Sequence, residues 1–227
     1  MYVHKQHNKR KAWLPGHSAL AQNKAVGDAL KYYGGVPSSF AQGLTPIRTE
    51  ANKTMADHMF EWEDNEDQAK EYYEQAQELA AYVHSINSAM LPATETVQLF
   101  HATAGPPERA HLLRAGGYKA SQWLPCSKTL EGSLVALNNT SEVCVFKLTV
   151  AACVGRVDHA EYDADPSYAR EQEVTLQENL QVDTPTFDVT LDSCNFQYND
   201  EQQKSVRVHL FSAQATLAQA AAGAAAN

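Results

Sequence analysis

The sequence predicts an α+β fold, with an N-terminal helical region followed by a sheet. Three observations support this. Residues 17–92 carry apolar positions at helical spacing. From residue 93 onward the segments are short, β-branched and roughly alternating, which is the signature of strands. Strands that follow a run of helices argue for helices and sheet kept apart. The chain has 227 residues, 44% of them apolar, enough to build a sizeable core.

The elements follow in chain order. Residues 1–16, MYVHKQHNKRKAWLPG, are polar and basic and read as a mobile arm. They lack the apolar stretch of a secretory signal peptide. HSALAQNKAVGDALKYYGG offers Ser18 as a helix cap and Gly34-Gly35 as a stop. The segment from Thr45 to Met90 has no Pro or Gly after Pro46. Tyr72, Ala76, Leu79, Val83, Ile86 and Met90 recur in it at helical spacing. The acidic run EWEDNED reads as a solvated face or a turn between helices. Strands are expected in TVQLFHAT, SEVCVFKLTVAACVGRV, QEVTLQENLQV, PTFDVTL and SVRVHLFSA. PPERAHLLRAGG, with Pro at its start and Gly-Gly at its end, predicts one helix among them. SQWLPCSKTLEGSLVAL reads as strand, hydroxyl-rich turn and short helix. The alanine-rich end, QATLAQAAAGAAAN, reads as a frayed helix without assigned function. The organisation expected is an arm (1–16), a helical region packing on the core (17–92), the core (93–213) and a tail (214–227).

Composition excludes some classes of function. A net charge of −9 argues against nucleic acid as the main partner, because binding phosphates needs a basic surface. No run of about 18 apolar residues is present, so no membrane span is expected. Cys126, Cys144, Cys153 and Cys194 form no C-x-x-C pair and predict no metal site. They read as reduced thiols, most of them small buried hydrophobes.

The candidate chemistry lies in three stretches. In VQLFHATAGPP, His101 falls at a strand end, followed by Thr103 and a turn. Sites often sit at such places, although a lone histidine is more often a satisfied, semi-buried one. In WLPCSKT, a serine nucleophile would need the G-x-S-x-G elbow, which is absent. No cysteine-protease signature surrounds Cys126. In YAREQEVTL, Glu171 and Glu173 stand at i and i+2, where alternate residues of a strand share a face. Like charges on one face stabilise nothing by themselves. Either that face is solvated or a site needs both acids.

Taken in order, LFHAT, WLPCSKT and EQEVTLQENLQV resemble the three motifs of the mono-ADP-ribosyltransferases of bacterial toxins and effectors. These are an aromatic residue followed by Arg or His on an early strand, a Ser-Thr-Ser strand, and an E-x-E before a V-x-L strand. LAAYVHSINSAMLPATETVQLFHAT resembles the passage from the last helix into the first catalytic strand. The resemblance covers roughly residues 70–212, and the third motif is its most specific part. Two departures stand out. His101 takes the place of the Arg found in arginine-modifying toxins, and resembles the diphtheria-toxin and poly-ADP-ribose-polymerase branch. In the second motif only Ser127 matches, and a small shift puts Thr129 in its role.

The resemblance implies a split two-sheet β-sandwich core that takes NAD as co-substrate and needs no metal. The implied reaction breaks the nicotinamide–ribose bond and passes ADP-ribose to a side chain of a target protein. Glu173 would stand beside the oxocarbenium-like ribose and accept a hydrogen bond from its 2′-hydroxyl. Glu171 would orient or deprotonate the incoming nucleophile. Ser127 would steady Glu173 or the nicotinamide pocket. His101, Thr103, Ser127 and Thr129 would bind the dinucleotide, and Tyr162 and Tyr168 would meet the target. E-x-E suggests an arginine acceptor, whereas His101 leaves Thr, Asn or another side chain open. The partners implied are a host regulatory protein such as a GTPase, actin or ubiquitin, met by a monomer. The implied setting is host cytoplasm, reached by a specialised secretion system without a cleaved signal peptide. A phage protein in bacterial cytoplasm is the alternative. The rival functions are an NAD glycohydrolase, a cyclising lyase-like enzyme, an inactive binding module on the same fold, and an acidic interaction protein built on the helical half.

Overall fold

The computed structural model describes residues 24–30, 81–113, 115–120, 123–135, 137, 140–162, 170–198 and 202–218. The basic arm, Ser18, Gly34-Gly35, Tyr72, Ala76, Leu79, the acidic run and Tyr168 lie outside the described residues. The described α-helices are α1 (24–30), α2 (81–89) and α3 (Leu130–Val135). The strands are β1 (Leu91–Pro92), β2 (Val97–Ala104), β3 (Tyr118–Ala120), β4 (Leu124–Ser127), β5 (Glu142–Val150), β6 (Gly155–Asp158), β7 (Glu173–Leu176), β8 (Leu180–Val182), β9 (Thr186–Gln197) and β10 (Gln203–Leu217).

These strands form one hydrogen-bonded path, β1-β6-β7-β4-β2-β5-β10-β8-β3, with β9 on the edge of β10. The path is continuous, so the described strands do not divide into two separate sheets. Its thinnest joint is between β2 and β4, which share a single residue pair, Phe100 with Ser127. The β5–β10 pair is parallel, and every other pair is antiparallel.

Three apolar clusters hold the sheet. The largest takes Leu99, Cys126, Phe146, Val174 and Leu176 from one stretch of the path and Ala120, Leu180, Val182 and Ala215 from the other. The two ends of the path therefore curl onto one core. Phe146 and Phe211 stack inside it at 5.4 Å. A second cluster lies under α3, where Leu134 meets Val143, Val145, Phe196, Val206 and Val208. Between them β5 is buried on both faces, which is why EVCVFKLTV is almost continuously apolar instead of alternating. The third cluster joins Val26, Ala29 and Leu30 of α1 and Val83 and Ile86 of α2 to Trp123 and Val157. Val83 and Ile86 thus occupy the buried face that their spacing predicts.

Three expectations are corrected. PPERAHLLRAGG forms two 3-10 turns, Pro107–Arg109 and His111–Leu113, rather than one helix. Ala110 between them is extended, and its burial together with that of Leu112 fixes the break. The alanine-rich end is strand as far as Leu217, although alanine favours helix. Ala215 pairs with Val150 on one side and Val182 on the other and is fully buried, so packing overrides propensity. Finally, Glu171 and Glu173 do not share a strand face. β7 begins at Glu173, and Gln172 between the two acids has a φ of 47°, which ends the pleat.

Candidate active site

The site forms where β7 lies between β4 and β6. Register places Ser127 of β4 opposite Glu173. On the other side Val157 faces Thr175 and Asp158 faces Val174, so the next residue, His159, comes level with Glu173. Val174 and Leu176 alternate into the main core, leaving Glu173 and Thr175 on the opposite face.

Glu173 is held at one oxygen and faces an imidazole at the other. The Thr175 hydroxyl donates to Oε1 at 3.3 Å, and His159 Nδ1 lies 3.7 Å from Oε2. The Glu173 side chain is 14% exposed. Burial first, and the charge of Glu171 second, push its carboxyl up to about 8 against the smaller opposing effect of the Thr175 bond. Burial also raises Glu171. Lys128 does not neutralise these acids, because it is ion-paired with Asp158.

The turn carrying Glu171 is tied to β4 and α3. Ser127 Oγ donates to the Glu171 carbonyl at 2.5 Å, and the Lys128 amide donates to the Gln172 carbonyl at 3.1 Å. Thr129 caps α3, its Oγ1 accepting from the Gly132 amide at 3.1 Å. Gly132 lies so close that a Cβ there would strike Ser127 Oγ and the Glu171 carbonyl. The structure therefore brings Ser127, Glu171 and Glu173 together, with Thr129 beside them as a helix cap.

His101 and Thr103 stand on the other side of the pleat. Phe100 is the β2 residue in row with Ser127, whereas His101 pairs with Phe146 and Thr103 with Cys144 on the side of the main core. His101 Nδ1 donates to the Pro125 carbonyl at 2.7 Å. Its Nε2 and Thr103 Oγ1 are buried and have no hydrogen-bond partner. Burial above all, and His111 to a lesser degree, lower His101 to about 4 in spite of the Pro125 bond. The ring is therefore neutral at pH 7, with a proton on Nδ1 and a bare acceptor at Nε2. Unpaired buried polar atoms are costly and rare; His101 Nε2 suits a ligand that brings a hydroxyl donor, and the Thr103 hydroxyl can donate or accept.

Tyr162 closes the 3-10 turn His159–Tyr162 and packs against the cluster under α1 and α2. Cys126 is buried in the main core, and burial first and Glu173 second push its thiol up, so it is no nucleophile. Among the described residues no group of three His, Cys, Asp or Glu side chains is placed to hold a metal ion. Nor is any described helix long and apolar enough to cross a membrane.

His159 and Thr175 escape a reading of the sequence. Their role depends on the pairing of β6 with β7, and the one available signal was a polar HAEY directly after the strand GRVD.

No family model and no curated protein matches the chain. Among solved structures it is similar to ADP-ribosyltransferase Vis in complex with agmatine, with 11% identity and a TM-score of 0.44 over 91% of this chain and 77% of that one. The enzymatic component C2-I of the C2-toxin from Clostridium botulinum matches at 12% identity and a TM-score of 0.37, over 81% of this chain. The chain spans about half the length of that component, 48%. Plx2a, an ADP-ribosyltransferase toxin from Paenibacillus larvae, matches at 11% identity and a TM-score of 0.37, over 94% of this chain and 92% of that one. These likenesses are distant, and the functional reading rests on the residues of the site.

Proposed function

We propose that the chain is a mono-ADP-ribosyltransferase, which splits NAD at the nicotinamide–ribose bond and passes ADP-ribose to a side chain of a protein. One observation carries this reading. A buried carboxyl, Glu173, accepts from Thr175 at one oxygen and lies level with Ser127, with a second acid, Glu171, on the adjoining turn.

A carboxylate in a poorly solvated place is a strong stabiliser of nearby positive charge. Departure of nicotinamide leaves such a charge on the ribose, and Glu173 is the group that would meet it. Glu171 sits on a turn instead of within the strand, so it can reach a nucleophile arriving from outside. A guanidinium would engage it in a forked pair. Ser127 acts through the backbone, because its hydroxyl holds the Glu171 carbonyl and so fixes the turn between the two acids.

The buried, unpartnered polar atoms on β2 support NAD as the co-substrate. His101 Nε2 has a lone pair to offer and no proton, which suits a ribose hydroxyl better than a pyrophosphate oxygen. Thr103 Oγ1 stands two residues along the same face. The single-pair joint between β2 and β4 is where one extended dinucleotide would meet both faces.

The test uses labelled NAD, the purified chain, one bacterial and one eukaryotic lysate, and the Glu173→Ala variant alongside. The reading expects a labelled protein band that the variant fails to make. The lysate that takes the label identifies the kind of cell in which the target lives. Release of nicotinamide without a labelled band would favour hydrolysis of NAD. The absence of both a labelled band and free nicotinamide would overturn the enzyme reading.

A further inference from the structure

We propose that Thr190 is a second nucleophile of this chain, activated by His209 and Glu142 to take the acyl group of an activated carboxylic ester. This inference is independent of the reading of Glu173.

Neighbouring strands bring the groups together. Thr190 of β9 stands directly opposite His209 of β10. Glu142 begins β5 and pairs with Arg207, two residues before His209, on the other edge of β10. Alternate residues of a strand share a face, so Glu142 and His209 are diagonal neighbours on one face of the sheet. Glu142 Oε1 lies 2.7 Å from His209 Nε2, and Thr190 Oγ1 lies 3.0 Å from His209 Nδ1. Both separations are those of real hydrogen bonds.

Donors and acceptors then fall into one order. A carboxylate only accepts, so Nε2–H donates to Glu142. In the neutral ring Nδ1 has a lone pair and no hydrogen, and it accepts from the Thr190 hydroxyl. A hydroxyl whose proton points at an imidazole, with a carboxylate holding the other ring nitrogen, is the arrangement that turns an ordinary alcohol into a nucleophile.

The set is open to small reagents. The His209 side chain is 14% exposed and that of Glu142 31%, and Thr190 is half-buried on the edge strand β9. Arg207 shares the β10 face of His209, and its Nε and Nη2 donate to Asp192, two residues after Thr190, at 3.1 and 2.8 Å. The guanidinium gives that face a cation, the sign that the oxyanion of an attacked ester needs.

In the step, a bond forms between Thr190 Oγ1 and the acyl carbon, and the bond from that carbon to the leaving oxygen breaks. The hydroxyl proton passes to His209 Nδ1 and from there to the departing oxygen, with Glu142 balancing the imidazolium in between. The products are an ester on Thr190 and the free alcohol.

The test treats the full chain with p-nitrophenyl acetate and follows acetylation, peptide by peptide, by mass spectrometry. Thr190 should be acetylated in the wild type. His209→Gln should slow acetylation of Thr190 at least about a hundredfold. Glu142→Gln keeps the shape of the side chain and removes its charge, and should slow it at least about tenfold. Circular dichroism checks that both variants fold, and if His209→Gln does not, Glu142→Gln decides. A folded wild type with no acetyl group on Thr190 would overturn the proposal. So would a folded variant that acetylates Thr190 as fast as the wild type, because the hydroxyl would then react unaided and the bonds to His209 and Glu142 would serve the sheet alone.

Discussion

At the residue scale the site is governed by burial. Glu173 has a folded-state pKa near 8 against about 4.3 in an unfolded chain. A raised value means that its contribution to stability is full below about pH 4.3 and is lost as pH rises through 8. Glu173→Gln, which cannot ionise, should therefore be more stable than the wild type above about pH 8, with the gain on the order of 4 °C in Tm and nearly absent at about pH 5. Thermal melts at the two pH values check this, and a gain that shrinks as pH rises would contradict it. His159 has the opposite sign. Its lowered value gives stability that is full above about 6.5 and lost as pH falls through about 4. Removing it by His159→Gln should flatten the acid limb of the Tm profile. The two acids were legible in the sequence because E-x-E is local. His159 was not, since nothing within its own segment shows that β6 lies beside β7.

At the scale of elements, the contact of α3 with β4 sets the position of Glu171. In an exposed helix Ala in place of Gly would add about 0.5–1 kcal/mol of stability. At Gly132 the sign should reverse, because a Cβ has no room between Ser127 Oγ, Thr129 Oγ1 and the Glu171 carbonyl. Gly132→Ala should cost on the order of 1–3 kcal/mol in denaturant melts and reduce nicotinamide release at least about tenfold. A stabilised and fully active variant would show that the turn does not depend on this contact. The strands were readable because β-branched, apolar runs are local signals. The two 3-10 turns and the strand form of Gln214–Leu217 were not, because Ala110, Leu112 and Ala215 take their conformations from the core they enter.

At the scale of the molecule, the described helices form part of the core rather than an appendage. Val26, Leu30, Val83 and Ile86 share one cluster with Trp123 and Val157, and Val157 is the β6 residue opposite Thr175. Ile86 is 1% exposed, so Ile86→Ala should cost about 2–5 kcal/mol and shift a single unfolding transition. A separate early transition confined to helical signal would instead mean that helices and sheet fold independently. An α+β organisation was legible because helical periodicity gives way to alternation near residue 92. The continuous path of strands was not, because its order is set by long-range pairs such as β5 with β10. All of these layers converge on one carboxyl, and the most direct measurement is nicotinamide released from NAD by the purified wild type and by Glu173→Gln. The account predicts release by the wild type and a loss of about a hundredfold or more in the variant, with the fold intact. Equal release by the two proteins, or none by a folded wild type, would contradict it.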